Sequence, residues 1–186
     1  MIPPITISHL RELTTKSLNQ CGEQHAILRA IEQSLVVRGE TVGYLPQHFS
    51  LNELVPPEIL SEYGEQAWQF LDDRLLWSLD ALWSHFQPRE GQKYAVVVNS
   101  YPWGGKNRYR GYRPTSYTEG ATNSQHRHGR AADVTVVGYS PADVYAEILH
   151  GKDHADFRYI TAIKEYPTWV HIDCRNYLSE GILEIS

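Results

Sequence analysis

The chain has 186 residues, 41% of them hydrophobic and 21% charged, with a formal net charge of −5. That length can bury a real core without disulfide or metal staples, and it suits one domain with an extra arm. An acidic balance with no long Lys/Arg run excludes nucleic-acid binding driven by phosphate contacts. No apolar run approaches the ~20 residues needed to span a bilayer.

In chain order, residues 1–45 read as an N-terminal helical arm and residues 46–186 as the main domain. The opening Met1-Ile2-Pro3-Pro4-Ile5 has neither the basic nor the long apolar region of a signal peptide, so synthesis in the cytoplasm is expected. Ser8 can cap a short helix carrying Leu10, Leu13 and Leu18. Ile27, Ile31 and Leu35 fall at helical spacing, and Gly39 is a plausible stop. Ser50-Leu51-Asn52-Glu53 is a capping box before a short helix, which Pro56-Pro57 should end or redirect. From Glu65 to Phe86 the pattern predicts one helix, with Leu71, Leu75, Leu79, Leu82, Trp83 and Phe86 as its core stripe.

Tyr94 to Ser100 is apolar and β-branched and reads as a strand. The segment from Pro102 to Asn123, rich in Gly, Tyr and Arg, reads as a long loop of the kind that serves a site. Ala132 to Val137 is a second strand. Ser140-Pro141-Ala142-Asp143 is a strong helix start, and Gly151 ends that helix. Arg158 to Lys164 and Thr168 to Asp173 read as two more strands joined at Pro167. The fold class is therefore α+β, a small antiparallel sheet with packed helices.

The two cysteines, Cys21 and Cys174, cannot build a disulfide framework or a Cys-based zinc site. Free thiols fit a reducing compartment, and Cys174 reads as packing. Lys106, Arg108, Arg110, Arg113, Arg127 and Arg130 form a local basic cluster. It reads either as a solvated loop or as a positive rim for an anionic substrate.

The chemistry concentrates in Ser124-Gln125-His126-Arg127-His128-Gly129-Arg130-Ala131-Ala132-Asp133 and in Trp169-Val170-His171-Ile172-Asp173. His126 and Asp133 lie on one chain turn and strand, and His171 lies on a later strand. In that strand Val170 and Ile172 would face a core, while His171 and Asp173 share the other face. Two imidazoles and a carboxylate suit zinc, and three protein ligands leave a fourth position for water, as in catalytic rather than structural zinc sites.

Ser124-x-His126-x-x-Gly129-x-Ala131-x-Asp133 followed by Trp169-Val170-His171 resembles the zinc D-alanyl-D-alanine carboxypeptidases and L-alanyl-D-glutamate endopeptidases, in their compact phage and bacterial forms. The hedgehog signalling domain shares that fold. The resemblance covers roughly residues 48–176. It implies a zinc peptidase that cuts a bond in peptidoglycan stem peptides or cross-links, with association with phage lysis or a virion as one setting. The resemblance makes His126, Asp133 and His171 the Zn²⁺ ligands. It aligns Arg113 with the arginine aimed at the substrate carbonyl, with Arg110 as alternate, and Ser124 with a substrate-contacting residue. Trp169 could wall the substrate.

The usual acid/base positions just before the last ligand hold Thr168 and Trp169, which cannot do that work. Glu165, six residues before His171 as in the hedgehog domain, is the first candidate for the base. Asp173, which could instead hold an imidazole in place, and His128 are the others. The missing acid/base motivates a second reading, a zinc-binding structural or recognition module without hydrolysis. Oligomeric state is open.

Overall fold

The computed structural model describes residues 43–87, 95–176 and 181–185. The expected N-terminal arm lies outside the described residues except for its last three positions. The capping box is present: the Ser50 N–H donates to the Glu53 carboxylate at 2.8 Å, around a single 3-10 turn at Leu51–Glu53. The short turn is over before Pro56-Pro57, which redirects the chain. The pair begins α1 (Pro57–Tyr63), with Pro57 at the first helical position, where no backbone N–H is needed and φ is already set.

The helix expected from Glu65 to Phe86 is divided. Gly64–Phe70 is a 3-10 helix, Leu71 and Asp72 are extended, and α2 runs over Asp73–Phe86. The break has a tertiary cause. Asp72 caps α2 by accepting from the Arg74 N–H at 3.0 Å. Its own N–H donates to the Gly129 carbonyl at 2.9 Å, and Arg130 Nε donates to its carboxylate at 3.1 Å. Those bonds outweigh the few tenths of a kcal/mol per residue that helix propensity supplies. The stripe itself is as expected: Leu71, Leu75, Leu79, Leu82 and Phe86 are buried, and the Trp83 ring stacks on His48.

Five strands form one sheet among the described residues: β1 (Val96–Val97), β2 (Ala131–Val136), β3 (Ala162–Glu165), β4 (Val170–Asp173) and β5 (Leu183–Glu184). Their order is β1-β2-β4-β3-β5. All neighbours are antiparallel except β3 and β5, which run parallel. The sheet is thus mostly antiparallel, and β5 adds a strand that the sequence did not announce. Between β2 and β3, α3 (Pro141–His150) starts at a Ser140–Asp143 capping box, as expected. The expected strand from Arg158 is shorter, because a 3-10 turn at Ala155–Phe157 leads into it. Residues 104–124 contain no helix or strand, as the loop reading required.

Register gives the sheet two unlike faces. Ala132 pairs with Ile172, Val134 with Val170, and Ile163 with Ile172. These side chains join Leu75, Leu79, Val144 and Ile148 from α2 and α3 in one buried core. The alternate residues fall on the opposite face, where Asp133 pairs with His171 and Ala131 with Asp173. No helix among the described residues is long and apolar enough to cross a membrane.

Gly129 closes the turn before β2 with φ +63°, and a Cβ there would sit 1.8 Å from the Phe70 carbonyl oxygen. Both the left-handed backbone and the close approach require glycine. Gly129→Ala should destabilise the fold by about 2 kcal/mol or more, read as a drop in the thermal midpoint; an unchanged midpoint would show that this turn does not anchor the Leu71–Asp72 break.

Candidate metal centre

His126, on the 3-10 turn Gln125–His128, meets Asp133 of β2 and His171 of β4. Three donor atoms converge. His126 Nε2 lies 3.2 Å from Asp133 Oδ1 and 3.2 Å from His171 Nδ1, and His171 Nδ1 lies 2.8 Å from Asp133 Oδ1. Ligands at ~2.0–2.1 Å from a tetrahedral zinc stand ~3.3 Å apart. The triangle is therefore close to the one that a bound zinc would impose.

The outer partners decide what these atoms carry. His126 Nδ1 lies 2.7 Å from the Gly111 carbonyl. A carbonyl only accepts, so Nδ1 holds the hydrogen and Nε2 presents a lone pair in the neutral ring. His171 Nε2 faces Asp173 Oδ2 at 3.2 Å, which by the same argument leaves Nδ1 bare. With both rings neutral in these tautomers, three lone pairs point at one another. Such an arrangement calls for positive charge among the donors, a metal ion or a proton on one imidazole, and imidazoles held from behind by carboxylate or carbonyl are the usual support of metal ligands.

Burial sharpens this. His126 and Asp133 are 2% and 5% exposed. Burial lowers the proton affinity of His126, holding it neutral. Burial alone would raise Asp133, but hydrogen bonds from His126 and His171 outweigh it and keep the carboxyl ionised far below the usual range. Burial works to lower His171 too, yet Asp133 and Asp173 outweigh it and raise that imidazole.

The long loop packs around this centre through its backbone. Asp133 N–H donates to the Arg110 carbonyl at 2.7 Å, and Arg113 N–H donates to the His126 carbonyl at 3.1 Å. Gly111, whose carbonyl supports His126, is pressed on Leu54: a Cβ there would lie 2.1 Å from the Leu54 carbonyl oxygen. Asn99 anchors the loop by accepting from the Arg110 N–H at 2.9 Å.

The remaining expected site residues fall in different places. Arg113 Nη2 donates to Asp133 Oδ2 at 2.7 Å and its Nε to the Tyr109 carbonyl at 2.6 Å. It thus occupies one carboxylate oxygen and leaves Oδ1 for the centre. Arg110 lies over the Trp169 ring at 4.6 Å and donates to Thr135 Oγ1. Trp169 also stacks on Tyr166. Ser124 is half-buried at the start of the turn that carries His126, and His128 is exposed at its end. Asp173 is 1% exposed and clamped by Arg175, whose Nε donates at 2.8 Å. It therefore holds the His171 ring from behind. Cys174 is buried packing, and burial pushes its thiol up to about 12.

Glu165 is not brought to the trio. It pairs with Val170, whereas Lys164 pairs with His171. Opposed residues share a face, so Glu165 falls with the face covered by α3, and its charge acts on Tyr145 of that helix. Sequence reasoning missed the Gly111 carbonyl, Asn99, Asp72 and Arg175. A glycine inside an arginine-rich loop was the one signal of the first; the others act through contacts that only the fold creates.

Zinc affinity should fall as pH falls, because His171 is raised above the usual imidazole value and a proton there takes the lone pair that the metal needs. The loss should approach about tenfold per pH unit below that value, measured by competition titration. Asp173→Asn should weaken zinc binding about 10–100-fold. An affinity indifferent to both would mean that His171 Nδ1 is not a ligand.

Comparison with known proteins adds one finding. The family model described as Peptidase M15 matches residues 74–173, which is 100 of the 186 residues and contains all three converging side chains. No curated protein matches, and no solved structure matches.

Proposed function

The chain belongs to the peptidase M15 family, and from that premise we propose that it is a zinc-dependent peptidase of peptidoglycan that hydrolyses a bond involving a D-amino acid in stem peptides or cross-links. The observation that supports this reading is the meeting of His126 Nε2, Asp133 Oδ1 and His171 Nδ1, with each ring held by an acceptor at its other nitrogen. Those three residues would hold the cation. When bound, zinc supplies Lewis acidity toward a carbonyl and lowers the pKa of a water to about 7.

The other side chains take roles around it. Arg113 keeps Asp133 bound through one oxygen and places a fixed positive charge beside the centre, where charge developing on a substrate carbonyl would be stabilised. Arg110 stacked on Trp169 makes a flat cationic wall, which suits a carboxylate-bearing peptide. Ser124 stands at the start of the ligand turn to bond the substrate backbone. Glu165 is the proposed acceptor of the water's proton. Its spacing supports this role and its register weighs against it, and catalytic hydrogen bonds commonly tighten only with substrate bound.

That same register favours a second reading, in which the domain binds zinc and a partner without hydrolysis. Purified protein loaded with zinc should release amines from muropeptides, lose that activity to a chelator and regain it with zinc. Glu165→Gln should keep the metal and lose at least about 100-fold in turnover. Zinc confirmed at the trio with no muropeptide turned over would favour the binding module.

A further inference from the structure

A second group of metal-capable side chains lies behind the sheet, on the side of α2 and α3. His85 stands in the last turn of α2, Glu147 in α3, and His154 and Asp156 at the 3-10 turn Ala155–Phe157. One ligand atom each from His85, His154 and Asp156 all lie within 4.8 Å of one another. His85 Nδ1 is 3.1 Å and His154 Nδ1 is 3.3 Å from the same oxygen, Asp156 Oδ2.

The logic of the first centre recurs. His85 Nε2 lies 3.0 Å from Glu147 Oε1. In the neutral ring that carboxylate fixes the hydrogen on Nε2 and leaves the Nδ1 lone pair aimed at Asp156. His154 Nδ1 accepts from the Asp156 N–H at 3.3 Å and stands equally close to Asp156 Oδ2, so an ion bound through Nδ1 would take over the lone pair that now caps this turn. The His85 ring is held in place by edge and tilted contacts with Phe86 and Phe157. A buttressed imidazole, a second imidazole and a carboxylate thus surround one point, contributed by two separate stretches of chain and braced by a third.

We propose that His85, His154 and Asp156 form a second divalent-cation site, with Glu147 orienting His85 from behind. Two imidazoles and a single carboxylate select a borderline transition ion such as zinc over calcium or magnesium. The site is separate from the trio, and it does not depend on the catalytic reading. His154 is 55% exposed and Asp156 32%, so ordering these side chains costs conformational entropy that the buried trio has already lost. The second ion binds more weakly and fills after the first. Once bound, it ties the end of α2 to the turn that leads into β3. The competing occupant is a proton: an imidazolium at His85 would bridge Asp156 and Glu147 as a plain ion-pair network.

Metal analysis after equilibrium dialysis against excess zinc decides between them. His154→Ala and His85→Ala should each hold one zinc ion fewer per chain than the wild type. His126→Ala should also lose one, and His126→Ala/His154→Ala should lose both. Zinc should raise the melting temperature of His126→Ala, and that rise should vanish in the double variant. If His126→Ala does not fold, the comparison of His154→Ala with the wild type still decides, because His154 is largely exposed. Equal zinc content in wild type, His85→Ala and His154→Ala would overturn the proposal and leave the ion-pair network.

Discussion

The structure is organised around an electrostatic demand. Two imidazoles and an ionised carboxylate are pressed together in a buried place, each ring held by a partner behind it. Donors with their lone pairs turned inward repel at such distances unless positive charge lies among them, and Arg113 balances the Asp133 carboxylate at only one of its oxygens. A divalent cation would supply that charge. The surroundings are built to present the donors rather than to quench them: Gly111 and Asp173 fix the rings from behind, and Arg113 occupies the oxygen of Asp133 that points away.

The fold supplies this arrangement through register. Because β2 and β4 pair with Asp133 opposite His171, two of the three converging donors are set by backbone hydrogen bonds alone. The same register sends Val134, Val170 and Ile172 to the other face, where α2 and α3 bury them. A one-residue slip would exchange the faces and lose both core and site. The third donor depends on a turn whose Gly129 packs against Phe70. The interruption at Leu71–Asp72 exists to meet that turn, so the break in the long helix and the placement of His126 are one feature.

The meeting of His126, Asp133 and His171 was legible in the sequence because their chemistry is carried by side chains and their geometry by strand parity. Val170 and Ile172 flanking His171 were enough to say which way the imidazole points. Asp173 as a support for His171 followed from the same parity. What could not be read was carried by backbone or by distant partners. The Gly111 carbonyl has no side-chain signature, and Arg175 matters only because β4 ends beside it. Spacing placed Glu165 with the site, but parity counted through the β3–β4 pairing places it with Val170. The helix from Glu65 was overextended because periodicity does not register a tertiary bond from Asp72 to Gly129. Pro56-Pro57 was read as ending or redirecting the short helix, and the structure uses Pro57 to start the next one.

The match to the peptidase M15 family spans residues 74–173, and the three converging donors lie within that span. The most direct test is a crystal structure of the zinc-loaded protein with anomalous data at the zinc edge. The account requires one strong peak bonded to His126 Nε2, His171 Nδ1 and Asp133 Oδ1 at ~2.0–2.2 Å, with a fourth, non-protein ligand. A trio left without metal in fully loaded crystals, or a zinc closed off by a fourth protein side chain, would contradict it.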